Sequence, residues 1–130
     1  MGNKNIKILA STGIRSEYHI LYPVVNRLRS KGHLVKLIIS GAHLSDWHGS
    51  SLDTIKKDGF EIADKIDCLF STNRTTQRIK GIGSLVTGIS QCVEREKPDL
   101  LLYVGDREEG IATALVGNYM DILFAHLSGG

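Results

Sequence analysis

Three short polar segments follow hydrophobic runs of strand length, and each contains residues suited to binding a charged ligand. They are Thr12-Gly13-Ile14-Arg15, Gly105-Asp106-Arg107-Glu108 and His126-Leu127-Ser128-Gly129. The first two precede helical sequence, and the free N–H groups and dipole of a helix N-terminus favour an anion. An arginine guanidinium, such as that of Arg15, matches a pair of phosphate oxygens. The three segments therefore predict a site for a phosphorylated ligand.

The first segment does not match the common motifs for phosphate-containing cofactors. It has one glycine where the dinucleotide fingerprint GxGxxG has three, so a dinucleotide cofactor is not expected. It also lacks GxxxxGK[ST], which argues against a P-loop nucleoside triphosphatase. The sequence therefore predicts no cofactor.

The histidines and cysteines do not form a metal-binding pattern. His43 and His48 lack the spacing that places two ligands on one helical face, and no carboxylate or cysteine cluster completes a tetrahedral set. Cys68 and Cys92 have no CxxC spacing, so neither a metal clip nor a disulfide framework is indicated. We expect no metal site and two reduced thiols.

Strand-length hydrophobic runs alternate with helix-length amphipathic stretches, a pattern typical of βαβ units. This predicts an α/β fold, a Rossmann-like parallel sheet with flanking helices and strand order 3-2-1-4-5. In that order the first and fourth strands are neighbours, and a ligand crevice opens beyond their carboxyl ends. The predicted strands are Ile6–Ala10, Leu34–Ile39, Phe60–Ile66, Leu100–Val104 and Ile122–Ala125.

Hydrophobic spacing also predicts which faces of the helices are buried. The first helix has Ile20, Leu21, Val24, Val25 and Leu28 on one face, a short helix begins near Ser50, and a long helix runs from about Thr76 to Glu96. In the last helix, the predicted inner face consists of Ile111, Ala112, Leu115, Val116 and Tyr119.

Length and charge indicate a single domain with a small-molecule ligand. The chain has 130 residues, within the range of one domain, and its net charge of +2 is spread along the sequence. No charge block points to nucleic acid or an anionic membrane. The amino-terminal apolar run is too short for a signal peptide or a membrane span, so a cytoplasmic location is expected.

Five ordered motifs resemble those of the hydrolysing UDP-N-acetylglucosamine 2-epimerases, especially the branch that serves sialic acid and related nonulosonic acids. The motifs lie in residues 12–18, 41–44, 58–62, 105–108 and 126–130, so the resemblance covers almost the whole chain. It implies a two-domain fold like that of GT-B glycosyltransferases with the active site in the cleft between domains. Residues 1–130 would then be the amino-terminal Rossmann-like domain, without its carboxy-terminal partner.

The resemblance also implies a reaction and a set of residues. In that family UDP is eliminated from the sugar nucleotide after loss of the C2 proton, and water then adds to give N-acetylmannosamine. The implied ligand is a UDP-sugar and the implied assembly a homodimer. Asp106 matches the functional aspartate of the Gly-Asp motif. The residues assigned to substrate binding are Gly13, Arg15, His43, Arg107, His126, Ser128 and Gly129.

Simpler roles remain open for two of these residues. Asp106 has the spacing of a helix N-cap, and Arg15 is placed to pair with Glu17 at the protein surface. Arg107, next to Asp106, would favour the ionised carboxylate, which suits a base. Two other functions fit the same layout: a donor or acceptor domain of a GT-B glycosyltransferase, and a non-catalytic nucleotide-binding module.

Overall fold

The computed structural model describes residues 4–44, 51–68, 74–105 and 107–127, and of Ala42 and His43 it describes the backbone alone. Five strands alternate with helices along these ranges. In chain order the elements are β1 (Lys7–Thr12), α1 (Arg15–Ser30), β2 (Leu34–Ser40), a 3-10 turn (Gly41–Leu44), α2 (Ser51–Lys57), β3 (Glu61–Ile66), α3 (Thr75–Glu96), β4 (Leu100–Val104), α4 (Glu108–Tyr119) and β5 (Leu123–Leu127).

The strands form one parallel sheet in the order β3-β2-β1-β4-β5, which confirms the predicted fold and strand order. Lys7 of β1 pairs with Leu34 of β2, and Ile8 of β1 pairs with Leu100 of β4. All five strands therefore end at the same edge of the sheet. The switch between β1 and β4 places the turn after β1 next to the turn after β4, as the predicted crevice requires.

The two central strands are buried because helices cover both faces of the sheet. Alternate residues of a strand point to opposite faces, so Ile8 and Ala10 belong to one core cluster and Leu9 to the other. The first cluster includes Leu21 of α1, and the second includes Leu85 of α3. Burial on both sides explains why β4 is apolar throughout.

The predicted inner face of α4 was wrong in part. Ile111, Leu115 and Tyr119 are 50%, 41% and 81% exposed, and the buried face consists of small or short residues: Gly110, Ala112, Thr113, Val116 and Gly117. Large rings of the sheet require these small residues. A Cβ on Gly117 would lie 2.6 Å from a ring carbon of Phe124, and one on Gly110 would lie 3.0 Å from a ring carbon of Tyr103. In α1, Ile20 is also exposed, whereas Leu21 and Val25 are buried as predicted.

The longest helix, α3, has 22 residues and matches the predicted span closely. Leu85, Ile89 and Val93 form its buried stripe, and charged residues occupy both of its ends. Within the described ranges, no helix combines the length and hydrophobicity needed to cross a lipid bilayer.

Candidate functional site

Three glycine turns meet at the carboxyl edge of the sheet: Gly13 after β1, Gly41 after β2 and Gly105 after β4. Gly41 and Gly105 have φ angles of +59° and +72°, in the left-handed region that favours glycine. A Cβ on Gly41 would lie 2.9 Å from the carbonyl oxygen of Gly13, so these two turns touch. The glycines therefore allow the backbone segments to approach one another at the base of the crevice.

A carboxylate within helix α1 accepts a hydrogen bond from the backbone at the start of the same helix. The N-cap residue, Ile14, has no side chain able to cap, and Glu17 in the first turn reaches back instead. The backbone N–H of Gly13 donates to Oε1 of Glu17 at 2.8 Å. A capping-box glutamate reaches back from this same position to the N-cap N–H, whereas this bond comes from the residue before the N-cap. The N–H of Gly13, a residue predicted to bind the ligand, is thus occupied by Glu17 in this structure.

Glu109, from the first turn of α4, packs against the same backbone from the opposite side. A Cβ built on Gly13 would lie 2.2 Å from its Oε1, and a Cβ on Gly41 would lie 3.1 Å from that atom. Its other oxygen, Oε2, lies 3.6 Å from Nε of Arg107. Glu109 therefore connects the turns after β1 and β2 to the start of α4.

Both carboxyl groups are nearly inaccessible to solvent, Glu17 at 5% and Glu109 at 4% exposure. Burial, followed by the charge of Glu109, raises the pKa of Glu17 to about 7, against the opposing effects of the Gly13 N–H and Arg107. Burial is also the main cause that raises the pKa of Glu109. Two neighbouring buried carboxyls cannot both ionise easily.

Glu108, the residue between Arg107 and Glu109, has a different partner. It forms an ion pair with Arg78 of α3, with Nη2 2.5 Å from Oε1. Although burial acts to raise it, the pKa of Glu108 is lowered overall by its own backbone N–H and by Arg78. This pair links α3 to α4 beside the crevice and leaves Glu109 to face the turns.

The predicted binding residues of the first two turns lie around this base. Gly13 is buried, whereas Arg15 is exposed as the first residue of α1. Arg107 occupies the N-cap position of α4, with its side chain 47% exposed and close to Glu109. Since Glu17 turns back to Gly13, the alternative in which it pairs with Arg15 at the surface is not what the structure shows.

His126 lies near the end of β5 and connects that strand to the turn after β4. Its ring stacks on Tyr103 with centroids 4.5 Å apart and planes 18° apart. Its Nε2 donates to the carbonyl oxygen of Gly105. The backbone N–H of Gly105 donates to the carbonyl of Leu127 at 3.2 Å. The predicted proximity of the second and third segments is therefore present in the structure.

Other predicted site residues lie outside the described part of the chain. These are Asp106, Ser128 and Gly129, together with the side chain of His43, whose backbone belongs to the 3-10 turn after β2. The residues next to Asp106 bear on the alternative in which Asp106 is the N-cap of α4. Helix α4 begins at Glu108 with Arg107 at the N-cap, so Asp106 precedes the N-cap position.

Glu17 and Glu109 were not predicted from the sequence as parts of the site. Two local signals point to them. Glu17 stands three residues after Ile14, the position from which a glutamate reaches back to a helix start. Glu109 shares a helical face with Ala112, Thr113 and Val116, all of which are buried.

Changing Gly13 to alanine tests the packing of the base. We expect Gly13→Ala to destabilise the fold by about 1–3 kcal/mol, because its Cβ would overlap the buried carboxyl of Glu109. Gly83→Ala is the matched control. An added Cβ on this helical glycine would meet no atom within 4 Å beyond its own stretch of helix, so the variant protein should be more stable by about 1 kcal/mol. Urea unfolding measures both, and equal stabilities for the two variants would contradict the packing described.

Together, the β3-β2-β1-β4-β5 sheet and the glycine turns define a Rossmann-like α/β domain with its crevice at the β1/β4 switch point. Residues 26–130 match the family described as UDP-N-acetylglucosamine 2-epimerase. The chain belongs to that family.

Two curated relatives and one solved structure illustrate the similarity. The chain is 31% identical over 125 residues to a UDP-N,N'-diacetylbacillosamine 2-epimerase (hydrolyzing) of Legionella pneumophila, covering 95% of this chain and 33% of that protein. It is 30% identical to a GDP/UDP-N,N'-diacetylbacillosamine 2-epimerase (hydrolyzing) of Campylobacter jejuni, covering 100% and 33%. The chain therefore spans about a third of the length of these relatives.

The fold matches that of a UDP-GlcNAc 2-epimerase from Methanocaldococcus jannaschii, determined in complex with UDP-GlcNAc and UDP. The TM-score is 0.81 at 22% sequence identity, and the match covers 96% of this chain and 33% of the other. The two proteins thus share the architecture of the amino-terminal, GT-B-like half.

Proposed function

We propose that this chain is the amino-terminal domain of a hydrolysing UDP-sugar 2-epimerase and forms one wall of its active-site cleft. The observation that carries this proposal is the meeting of the turns after β1 and β4 around Gly13, Glu17 and Glu109, in a chain that belongs to the epimerase family. Because the relatives are about three times as long, we assign the second wall to a further domain. We also propose that the complete protein is a homodimer.

The proposed reaction begins with loss of the C2 proton and departure of UDP, and water then adds to the unsaturated sugar. Asp106 is the proposed acid/base group, because a carboxylate near C2 is needed for proton transfer. Arg15 and Arg107, both exposed at helix starts beside the crevice, would stabilise the charge on the departing diphosphate. Gly13, His43, His126, Ser128 and Gly129 are the further residues proposed to contact the substrate.

Two UDP-sugars are supported as substrates. The Legionella and Campylobacter relatives are named for diacetylbacillosamine nucleotides, and a Neisseria meningitidis relative, 27% identical, is named UDP-N-acetylglucosamine 2-epimerase. The structure with bound UDP-GlcNAc supports a UDP-sugar in the same fold. We propose a UDP-linked N-acetylated amino sugar as the substrate class.

A product assay on the complete protein tests this proposal. Incubation with UDP-N-acetylglucosamine, and separately with UDP-N,N'-diacetylbacillosamine, should release UDP and a free sugar inverted at C2 from at least one of them. Proton NMR identifies the sugar and its C2 configuration. Transfer of an intact sugar to an added acceptor would support a glycosyltransferase instead, and binding of UDP-sugars with no product would support a non-catalytic module.

The 130-residue chain by itself should not turn over UDP-sugars. With only one wall of the cleft, water reaches the reacting atoms and the groups of the second domain are missing, so the elimination lacks a closed site. The measurement is UDP release from UDP-N-acetylglucosamine, with the complete protein as the positive control. Release by the chain at a rate close to that of the complete protein would contradict the two-wall account.

A further inference from the structure

Two buried carboxyl oxygens at the base of the crevice have no hydrogen-bond partner among the described residues. They are Oε2 of Glu17 and Oε2 of Glu109. Both side chains are more than nine-tenths buried, and both lie against Gly13, one accepting its N–H and the other packing on its Cα. Leaving buried acceptor atoms unsatisfied is unfavourable, and a proton on one carboxyl turns an orphan acceptor into a donor.

The surroundings decide which carboxyl carries the proton. Glu109 has Arg107 within 3.6 Å, and an adjacent guanidinium favours the ionised form. Glu17 forms no ion pair with a described cation. Arg107 also acts on Glu17, but its effect is smaller than the opposing effect of the Glu109 charge. Glu109 therefore ionises first, and its charge then holds the proton on Glu17.

We propose that Glu17 is a positioning residue that must carry a proton for the crevice to bind an anionic ligand, and that ionised Glu109 keeps this proton in place. Protonated Glu17 still accepts the Gly13 N–H and holds the turn before Arg15. Loss of the proton adds a second negative charge beneath the turns that face the ligand. The identity of the ligand, a diphosphate-linked sugar, rests on the proposed function.

The other charged groups described near the pair do not replace Glu17 in this role. Glu108 is bound to Arg78, and its pKa is lowered overall. Cys68, at the end of β3, has a pKa raised to about 11, by burial first, so its thiol stays neutral at physiological pH. Of the carboxyl and thiol groups around the pair, Glu17 is the one whose pKa is raised to about 7. The imidazole of His126, on the far side of Gly105, is a further titratable group among the described residues at this edge of the sheet.

The test measures binding of UDP-N-acetylglucosamine to this chain by NMR at about pH 6 and about pH 8.5. The diphosphate of this ligand is esterified at both ends, so its charge is constant over that range. We expect affinity to fall about fivefold at the higher pH, the size expected for one extra charge at several ångströms in a partly screened site. Constant affinity of the unaltered chain would overturn the proposal.

Two variants identify the group responsible. Glu17→Gln imitates the protonated carboxyl and keeps an acceptor for the Gly13 N–H, so its affinity should fall clearly less than that of the unaltered chain between the two pH values. Glu108→Gln, an equally buried change on α4, should keep the full fivefold fall. A fall of undiminished size in Glu17→Gln would overturn the proposal.

A carbon-detected NMR titration of the Glu17 carboxyl measures the pH at which Glu17 ionises without any ligand. We expect ionisation near neutrality, moving to lower pH in Glu109→Gln because the like charge has been removed. Ionisation of Glu17 below about pH 5 would contradict the proposal that Glu109 keeps a proton on Glu17. If the chain binds no UDP-sugar at either pH while Glu17 titrates near neutrality, the proposed role of Glu17 in ligand binding fails and the carboxyl pair stands. The proposed function is judged separately, by the product assay on the complete protein.

Discussion

Replacing Asp106 with asparagine should reduce turnover of UDP-sugar by the complete protein about 10²- to 10⁴-fold. The amide keeps the size of the side chain but cannot accept or return a proton, and general acid–base catalysis contributes factors of about that size. Asparagine matches aspartate in size and is as good an N-cap residue, so we expect little change in the unfolding free energy. Initial rates of UDP release and a urea unfolding curve measure the two effects.

Asp121→Asn is the control for Asp106→Asn. Asp121 is exposed, and its φ of 57° is a left-handed value that asparagine also adopts readily. The rate of UDP release by Asp121→Asn should equal that of the unaltered protein. If Asp106→Asn retained a near-normal rate, Asp106 would have no catalytic role and the proposed mechanism would lack its acid/base group.

The stability of the chain should depend on pH through Glu17. Burial, with a contribution from Glu109, raises its pKa from 4.5 to about 7 in the folded state. The folded state therefore holds the proton more tightly than the unfolded state does. The stabilisation from Glu17 is fully present below pH 4.5 and is lost as pH rises through about 7. A shift of this size corresponds to about 3 kcal/mol.

Glu17→Gln has no proton to lose and should show a weaker dependence on pH between about pH 4.5 and 7.5, with the raised pKa of Glu109 still contributing. Glu96→Gln provides a control of opposite sign. Hydrogen bonds from Lys7 and Lys36 lower the pKa of Glu96 to about 2, so its contribution is present above pH 4.5 and is lost as pH falls through about 2. Urea unfolding measured from about pH 2 to pH 7.5 separates the two contributions. A profile unaltered by Glu17→Gln would show that Glu17 is ionised in the folded chain.

Most of the fold follows from local patterns in the sequence. Leu100–Val104 is apolar throughout because β4 is covered on both faces, and such a run is recognisable without knowledge of its neighbours. Alternation of strands and helices, with the rules for parallel connections, then predicts the sheet order. The exposed face of α4 was not predictable in this way. Its buried residues are small because Tyr103 and Phe124 fill the space opposite, and that is a contact between distant parts of the chain.

The same distinction applies to the site. Topology predicted that the turns after β1 and β4 would meet, and the packing of Glu109, at the start of α4, against Gly13 confirms that they do. The two carboxylates themselves were not predicted, because charged residues are usually exposed and their burial depends on long-range packing. The roles of Arg15 and Asp106 in binding and catalysis stay predictions.

Mapping the binding of UDP on the 130-residue chain by amide NMR shifts tests the central claim most directly. In the proposed site, the ligand binds where the turns after β1 and β4 meet. Shifts should therefore concentrate at residues 12–16 and 104–108 together. The opposite edge of the sheet, at residues 31–34 and 97–99 before β2 and β4, should be unaffected. Shifts concentrated at that opposite edge, or at one turn without the other, would contradict the account.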